Sequence, residues 1–440
     1  MKTATYHIET FGCQMNRSDS ALMDLSMREH GFAPAAREED ADIILFNTCS
    51  VRQHAEDRAI ARMRSARRRG SRVKTIVLAG CMAQRIGPEL VAKGDADLAV
   101  GPYRSPVIGA LVKALFERRG GREHLSQDRD DFAERIDPRL AVNGPERRWH
   151  EWVTITHGCG NFCTYCIVPH VRGPLISFPS RDIIRQCEAL AGSGVTELTL
   201  LGQNVNQYGQ DCGEEPFHRL LERVARVAGI ERVSFLTSHP RDFSADIVAV
   251  VRDYPTISRA LHLPAQSGAD RILGLMNRGY TRARYLALIE MIARELPDHA
   301  VTTDLIAGFP GETEEEFNAT LELVRIARFD EAYTYAYSPR EGTAAFSMRE
   351  TISREEKLER LATLIEVQRA VSREKLAARV GRTEQVIVEA VSRKSCSEVM
   401  GRTWLNHPVV LPGGANDIGR KLAVTITEVK GSTLYAGAIA

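Results

Sequence analysis

The 440-residue sequence contains no apolar run near the roughly 20 residues that a membrane-spanning helix requires. Its first ten residues, MKTATYHIET, also lack the apolar segment of a secretory signal peptide. These two absences predict a cytoplasmic protein with no membrane partner. Disulfide bonds seldom persist in the cytoplasm. At least some of the nine cysteines therefore require another explanation, such as metal binding or redox chemistry.

The sequence also lacks an excess of positive or negative charge, because its formal net charge is only +1. A protein that attracted nucleic acid through its overall charge would be strongly basic. Any RNA-binding surface is therefore expected to be a local patch. The segment 58–88 is a candidate, since it contains many arginines and no acidic residue. Such a run predicts either a solvated helix face or a contact with RNA phosphates.

Apolar, β-rich runs alternate with helical patterns through the first part of the chain. Three of them stand out, TYHIETFG, ADIILFNT and KTIVLAG, and a helical pattern follows each. This alternation predicts a doubly wound parallel sheet in an N-terminal domain over residues 3–118. Residues 119–148 are polar and punctuated by Gly and Pro, which predicts a linker.

A second alternating series occupies residues 149–376. Six strand candidates, from EWVTITHGC to EAYTYAYSP, are separated by helical patterns, and a long helical stretch ends the series. Six such units favour a parallel α/β barrel, complete or partial. The last segment, 377–440, changes to short strands, which predicts a small β-barrel.

Three cysteines occupy equivalent places in the N-terminal domain. Cys13, Cys49 and Cys81 each follow directly on one of the three apolar runs. Any one of them could be a buried cysteine that packs as a small apolar side chain. The carboxyl ends of parallel strands share one sheet edge, so three at such places favour a common site. Structural zinc needs four ligands and paired C-x-x-C motifs, which are absent, so an iron–sulfur cluster fits better.

A second cysteine triad lies in the segment CGNFCTYC, which follows the first strand of the second series. Cys159, Cys163 and Cys166 would meet in a loop at the top of a barrel, where functional groups belong. Three thiolates can hold three irons of a [4Fe–4S] cluster and leave the fourth iron open. A zinc loop that lacks one ligand is the alternative.

The spacing C-x3-C-x-aromatic-C, with Tyr165 as the aromatic residue, resembles the signature of radical S-adenosylmethionine enzymes. That resemblance implies that S-adenosylmethionine binds the open iron through its amino and carboxylate groups. Its reductive cleavage would yield a 5′-deoxyadenosyl radical, with an electron donor such as flavodoxin or ferredoxin. The resemblance also implies a partial (β/α)6 barrel.

Motifs along the whole chain resemble the methylthiotransferase branch of these enzymes. They are TFGCQMN, NTCSVR, AGCMAQ, GCGNFCTYCIVP, LLGQNVNQYG, TSHP, HLPAQSGADRIL, MNRGYT, TDLIAGFPGETEEEF and YSPREGT. The resemblance implies a methylthiotransferase domain with a second [4Fe–4S] cluster on Cys13, Cys49 and Cys81. It also implies that residues 377–440 form a TRAM RNA-binding domain.

Within the branch, FNTCSVR and AGCMAQR resemble the members that modify tRNA. The activity this implies is insertion of sulfur and a methyl group at C2 of N6-isopentenyladenosine, at tRNA position 37 beside the anticodon. The partner would be the anticodon stem-loop of that tRNA, and we expect a monomer. The alternatives are relatives that act on threonylcarbamoyladenosine in tRNA or on a ribosomal protein.

Cofactor contacts are implied at the ends of the barrel strands. By position, Gly202 and Gln203 resemble the turn that receives the methionyl amino group, while Ser238 and Gln266 follow the next two strands. Arg278 could reach the cofactor carboxylate. Each could instead be a solvated polar residue at a loop end, and no side chain is predicted to be catalytic in itself. One departure is RGPLISFP, in which Leu175 and Phe178 replace the acid and the base of the usual R-G-x-E-x-S-R-P.

Overall fold

The computed structural model describes residues 3–50, 53–68, 74–117, 123–125 and 149–437. The predicted linker 119–148 lies outside the described residues except at 123–125, which form a strand. The limits of the three predicted domains stay predictions. Among the described helices, none has the length and apolar character needed to cross a membrane.

The N-terminal part is a parallel sheet with the order β2-β1-β3-β4-β5-β6. Its strands are β1 Thr5–Thr10, β2 Ala33–Pro34, β3 Ile43–Thr48, β4 Thr75–Gly80, β5 Leu98–Val100 and β6 Glu123–Leu125. Its helices are α1 Gln14–Glu29, α2 Gln53–Arg68, α3 Cys81–Ala92 and α4 Ile108–Glu117. The doubly wound parallel sheet is confirmed. The short strands β2, β5 and β6 were not predicted, because two or three residues carry no periodicity.

The central strands of this sheet are apolar on both faces. Every residue of β3 is buried, as is all of β4 except its first residue, because helices cover the sheet from both sides. The strand order reverses direction between β1 and β3. In doubly wound sheets, that reversal opens a crevice at the carboxyl ends of the strands, where ligands bind.

The central part contains six parallel strands in two sheets, β11-β10-β7 and β12-β13-β14. These six strands are β7 His150–Thr154, β10 Glu197–Leu201, β11 Arg232–Phe235, β12 Ala260–His262, β13 Ala300–Ala307 and β14 Glu331–Ala336. Two further strands, β8 Thr156–His157 and β9 Ile176–Ser177, form a separate antiparallel pair. The helices are α5 Val168–Arg172, α6 Ser180–Gly192, α7 Phe217–Ala225, α8 Ala245–Asp253, α9 Asp270–Leu275, α10 Arg282–Glu295, α11 Glu314–Ala327 and α12 Arg354–Ala377. A parallel bridge between Val233 and Ile257 joins the two sheets. The six predicted strands are confirmed, and the antiparallel pair β8–β9 was not foreseen.

The C-terminal strands close into a barrel with the order β15-β16-β17-β19-β18. They are β15 Thr383–Val391, β16 Glu398–Thr403, β17 Pro408–Pro412, β18 Lys421–Lys430 and β19 Thr433–Ala436. The predicted small β-barrel is confirmed, but β16 was missed. Its inward residues Val399, Gly401 and Thr403 alternate with outward ones, and such small residues give no apolar signal.

The arginines of the basic segment 58–88 pair mainly with acids from other parts of the N-terminal domain. The pairs are Arg62 with Glu9 and Glu38, Arg64 with Asp95, Arg67 with Asp97, and Arg85 with Glu56. These four arginines are thus engaged within the domain, and they do not support the predicted contact with RNA phosphates. Arg69 and Arg72 of the same segment lie outside the described residues.

A buried arginine attaches the C-terminal barrel to the amino ends of the core strands. Arg232 donates to both carboxylate oxygens of Glu197 at 2.7 Å and to the carbonyl of Thr403 at 3.1 Å. The ring of Trp404 covers its guanidinium at 5.5 Å. The barrel is therefore held at the end of the core opposite the carboxyl ends of the strands.

Replacing this arginine is expected to destabilise the protein strongly. Arg232→Met leaves Glu197 buried without its partner, which costs about 3–5 kcal/mol. Thermal unfolding of the apoprotein, followed by circular dichroism, measures the loss. The control is Arg226→Met, which removes a surface arginine bonded to Glu222 and Tyr254. Equal unfolding midpoints for the two variants would show that the Arg232 pair does not hold the barrel in place.

Candidate functional site

The first cysteine triad lies at the switch point of the N-terminal sheet. Cys13 directly precedes α1, Cys49 follows β3, and Cys81 is the first residue of α3. A Cβ atom at Gly12 would lie 2.7 Å from the Cβ of Cys49, so the turn that carries Cys13 packs directly on Cys49. Arg172 donates both to the sulfur of Cys81 and to Asp19 of α1, the helix that Cys13 precedes. The structure thus places the three predicted ligands around one crevice.

Two buried asparagines hold the turns of this crevice together. Asn16 donates to the carbonyl of Phe11 at 3.1 Å and to the side-chain oxygen of Asn47 at 3.2 Å. Asn47 donates in return to the backbone carbonyl of Asn16 at 2.7 Å. Because a buried amide without partners is costly, this reciprocal pair fixes the ends of β1 and β3 relative to each other.

The second triad lies in a loop that is pinned at both ends. The N–H of Cys159 donates to the carbonyl of Gly173 at 3.1 Å. Farther along, Thr164 donates through its N–H to Met276 and through its hydroxyl to Leu275, at the end of α9. Gly158 has a φ of +74°, and a Cβ there would lie 1.9 Å from the carbonyl oxygen of Pro174. Only glycine fits at that position.

Burial makes the thiols of the second triad difficult to ionise. Burial raises the pKa of Cys166 to about 12 and also raises the pKa of Cys159, and the neighbouring thiols add to both shifts. Thiols in this setting become thiolates only beside strong positive charge, which bound iron supplies. Within the described ranges, no group of three His, Cys, Asp or Glu side chains could hold a single metal ion. A four-iron cube differs, since each thiolate binds its own iron.

Arg278 is buried beside the second triad. It donates to the sulfur of Cys163 at 3.3 Å, to the hydroxyl of Tyr280 at 3.1 Å and to the carbonyl of Pro264 at 2.7 Å. The hydroxyl of Tyr165 lies 3.5 Å from the same guanidinium. These contacts direct Arg278 to a cysteine sulfur, whereas the sequence predicts a contact with the cofactor carboxylate. That predicted contact stays a prediction.

Several buried polar atoms at the carboxyl ends of the strands have no hydrogen-bond partner within the described part of the chain. Among them are Gln203 Nε2, Ser238 Oγ, His239 Nε2 and Gln266 Oε1. Unpaired buried polar atoms are costly unless a ligand satisfies them. Donors, an acceptor and a hydroxyl together match the carboxylate, amino and ribose groups of S-adenosylmethionine. The residues present therefore fit this cofactor.

The imidazole of His239 is neutral, and its Nε2 is a hydrogen-bond donor. Burial, reinforced by Arg278 and Arg241, lowers its pKa to about 2. Its Nδ1 accepts a hydrogen bond from the N–H of Arg241 at 3.3 Å, so the proton lies on Nε2. This arrangement presents an N–H group without adding a positive charge.

The other predicted contact residues have structural roles as well. Gln203 Oε1 accepts a hydrogen bond from the N–H of Gly158, and a Cβ at Gly202 would lie 2.1 Å from the hydroxyl of Thr156. Phe178, at the position where the usual motif has a base, packs in the core of the barrel. The loss of a polar group there is thus compensated by apolar packing.

Sequence reasoning missed several polar residues of the site. Gln207 donates to Asn161 in the cysteine loop at 2.9 Å, and the N–H of His239 donates to Asn206 at 3.0 Å. The signal that could have revealed them is the run of amides in QNVNQ, directly after β10. Asp19 and Arg172 were also missed as site residues, because their contact spans 153 positions of the sequence.

Three separate parts of the chain match known protein families. Residues 5–101 match a family described as an uncharacterized protein family, UPF0004. Residues 153–324 match the radical SAM superfamily, and residues 377–439 match the TRAM domain.

Relatives of known function resemble the chain over nearly its whole length. A tRNA-2-methylthio-N(6)-dimethylallyladenosine synthase from Thermoanaerobacter pseudethanolicus is 39% identical over 98% of this chain and 92% of its own length. The enzyme of the same name from Moorella thermoacetica is 40% identical over 97% of this chain and 96% of its own length. For that from Carboxydothermus hydrogenoformans, the identity is 39%, over 98% of both chains.

Solved structures share the fold at low identity. The radical S-adenosylmethionine methyltransferase TsrM from Kitasatospora setae has a TM-score of 0.57 and 12% identity, over 78% of this chain and 77% of that chain. The cobalamin-dependent radical enzyme OxsB has a TM-score of 0.53 and 10% identity, over 83% of this chain and 56% of that chain. Both likenesses concern the fold alone.

Proposed function

The chain belongs to the family of tRNA-2-methylthio-N(6)-dimethylallyladenosine synthases, and from that premise we propose that it acts on C2 of N6-isopentenyladenosine at tRNA position 37. The reaction replaces the C2 hydrogen by a methylthio group. The observation that carries the proposal is the identity of 39–40% over 97–98% of the chain, which includes both cysteine triads. Each triad lies at a sheet edge suited to a ligand.

The second triad is proposed to hold the cluster that works with S-adenosylmethionine. When bound, this cluster and S-adenosylmethionine supply the radical chemistry that an unactivated C–H bond requires. Cys159, Cys163 and Cys166 would hold three of its irons, and Arg278 would orient the sulfur of Cys163. The unpaired groups of Gln203, Ser238, His239 and Gln266 would bind S-adenosylmethionine. The burial of these unpaired atoms supports this role, because water has little access to them.

The first triad is proposed to hold a second [4Fe–4S] cluster with a different task. Cys13, Cys49 and Cys81 provide three thiols, so one iron again lacks a protein ligand. That open position would present sulfur for methylation and for transfer to the adenine. The crevice at the switch point and the exposure of Cys13 support access by substrate.

The C-terminal barrel is proposed to bind the tRNA. Its match to the TRAM domain supports this role, and small β-barrels commonly read RNA through shape and backbone. The target adenine must leave its stack to reach the site. Flavodoxin or ferredoxin as electron donor, a cytoplasmic location and a monomeric state stay predictions.

Expression in a bacterial strain that lacks the modification tests the proposed function. Transfer RNA from that strain is digested to nucleosides and analysed by mass spectrometry. We expect 2-methylthio-N6-isopentenyladenosine to reappear when this chain is expressed. The proposed substrate would be wrong if N6-isopentenyladenosine accumulated without the methylthio group, or if threonylcarbamoyladenosine were methylthiolated instead.

Replacing Ser238 is expected to weaken cofactor binding without destabilising the protein. Ser238→Ala removes a buried hydroxyl that has no partner among the described residues, so no intramolecular hydrogen bond is lost. The Kd for S-adenosylmethionine should rise roughly two- to tenfold, the effect of one hydrogen bond. Isothermal titration calorimetry of the reconstituted protein measures the change.

A matched serine provides the control for this prediction. The hydroxyl of Ser258 donates to the carbonyl of Trp404 at 2.9 Å, far from the cofactor groups. Ser258→Ala should therefore lower the unfolding midpoint and leave the Kd unchanged. If Ser238→Ala binds the cofactor as tightly as the unaltered protein does, the unpaired hydroxyl is not a cofactor contact.

A further inference from the structure

An arginine of the radical core reaches into the first cysteine triad. Arg172 ends α5 and is only 3% exposed. Its Nε donates to the sulfur of Cys81 at 3.3 Å, and its Nη2 donates to the carboxylate of Asp19 at 2.6 Å. Its own carbonyl accepts a hydrogen bond from the hydroxyl of Tyr103 at 2.7 Å. Arg172 thus contacts the N-terminal sheet domain at three points.

In each triad, one cysteine sulfur accepts a hydrogen bond from a buried arginine. Arg278 donates to Cys163 at 3.3 Å, the same distance at which Arg172 donates to Cys81. The difference lies in the origin of the arginine. Arg278 belongs to the same core as its cysteine, whereas Arg172 comes from the core and serves a cysteine of the other domain.

The surroundings of Cys81 explain why this donor matters. Cys81 is buried against Ile167 and Val171, which belong to the segment that carries Arg172. An ionised sulfur in such apolar surroundings is costly unless a charged donor compensates it. If Arg172 served only to pair with Asp19, its Nε would not need to face the sulfur of Cys81. The observed geometry serves both partners.

We propose that Arg172 is a positioning residue of the first triad, which it completes from the radical core. It holds Cys81 in place, and its hydrogen bond favours the more negative, reduced state of a cluster bound there. The domain that presents sulfur is therefore correctly formed only when it is docked on the core. This inference rests on the proposed function, because it needs a cluster on Cys13, Cys49 and Cys81.

The reduction potential of the first cluster provides the first test. The parent protein carries Cys159, Cys163 and Cys166 all changed to alanine, so that only the first cluster is reconstituted. Hydrogen bonds to sulfur raise a cluster's potential. Arg172→Met should therefore lower the midpoint reduction potential of the cluster by at least about 59 mV. For a one-electron couple, that shift equals a tenfold change in the ratio of reduced to oxidised cluster.

Two further variants sharpen this measurement. Arg172→Lys keeps a cation but loses the planar donor, so it should restore only part of the potential. Arg232→Met removes an equally buried, paired arginine at the far end of the core and should leave the potential unchanged. An unchanged midpoint in Arg172→Met would overturn the inference while leaving the two-cluster proposal intact. A parent protein that binds no iron would overturn both.

Thiol labelling of the apoprotein gives a test that needs no cluster. In Arg172→Met, Cys81 should react with a maleimide at least about tenfold faster, because local opening sets the rate of a buried thiol. Loss of the Arg172 charge alone would reduce the thiolate fraction of Cys81 and slow its reaction with the maleimide. A faster reaction therefore shows that the structure around Cys81 opens more often. Cys187, fully buried in the barrel core, is the internal control and should stay protected.

Peptide mapping by mass spectrometry reads both cysteines in one sample. Faster labelling of Cys81 with Cys187 still protected supports the positioning role. Unchanged or slower labelling of Cys81 would overturn it. Equal exposure of both cysteines would overturn it too, since Arg172 would then hold the whole fold and not one ligand.

Discussion

A chain in which Cys159, Cys163 and Cys166 are all alanine is expected to release no 5′-deoxyadenosine above the level seen without enzyme. These thiols are the proposed ligands of the cluster that works with S-adenosylmethionine. Without them, the pinned loop between β7 and α5 keeps its backbone contacts but has no group that binds iron there. Liquid chromatography of the reaction under reducing, anaerobic conditions measures the product, and methylthiolation of tRNA should be lost with it.

The matched control removes the same number of cysteines elsewhere. Cys187 is buried in α6, while Cys212 and Cys396 are exposed. Sequence spacing gives none of these a partner as a ligand. A chain with Cys187→Ala, Cys212→Ser and Cys396→Ser should still cleave the cofactor. Equal loss of cleavage in both triple variants would mean that general thiol loss is responsible, and not loss of this triad.

A chain in which Cys13, Cys49 and Cys81 are all alanine should behave differently. Cofactor cleavage should be retained, because the cysteine loop, Arg278 and the unpaired polar groups all belong to the core. Methylthiolation should be abolished, because the proposed sulfur-presenting cluster has lost its ligands. Both products are measured in one reaction with an isopentenylated anticodon stem-loop, 5′-deoxyadenosine by chromatography and the modified nucleoside by mass spectrometry.

Contacts between the domains give the reason for expecting cofactor cleavage to survive this substitution. Arg172 still pairs with Asp19 when Cys81 is alanine, and Tyr103 still binds the carbonyl of Arg172. The contact between the domains therefore survives the triple substitution. If cofactor cleavage disappeared in this variant, the two triads would not have separate tasks.

The sequence was most informative where strands are long and apolar. Cys13, Cys49 and Cys81 could be assigned to one edge because each follows a strand of one parallel sheet, of which β3 and β4 are buried over nearly their whole length. In the core, β10 is buried throughout and gave the same signal, whereas β14 is partly exposed along its length. Parallel strands covered on both faces need apolar residues throughout, and that requirement is visible in sequence.

Contacts between distant segments could not be predicted. Arg172 and Asp19 are far apart in the chain, and neither residue lies in a pattern that points to the other. The same holds for Arg232, which meets Thr403 across 171 positions. Periodicity describes how one element meets its core, and it carries no information on which polar side chains meet across two domains.

The roles of individual polar residues were predicted only coarsely. Gln203 and Gln266 were placed correctly at strand ends, yet which of their atoms remain unpaired depends on neighbours such as Gly158. The contact of Arg278 with the cofactor carboxylate stays a prediction, and its contact with the sulfur of Cys163 was not foreseen. The guanidinium of Arg278 has several donors, and only the fold determines which acceptors lie near each of them.

Iron analysis combined with electron paramagnetic resonance tests the central claim most directly. After anaerobic reconstitution, the account predicts about eight irons per chain, since two [4Fe–4S] clusters hold four each. Each triple cysteine variant should retain about four, with a different reduced spectrum in each case. About four irons in the unaltered protein, lost entirely in one variant and fully kept in the other, would contradict the claim that both triads hold a cluster.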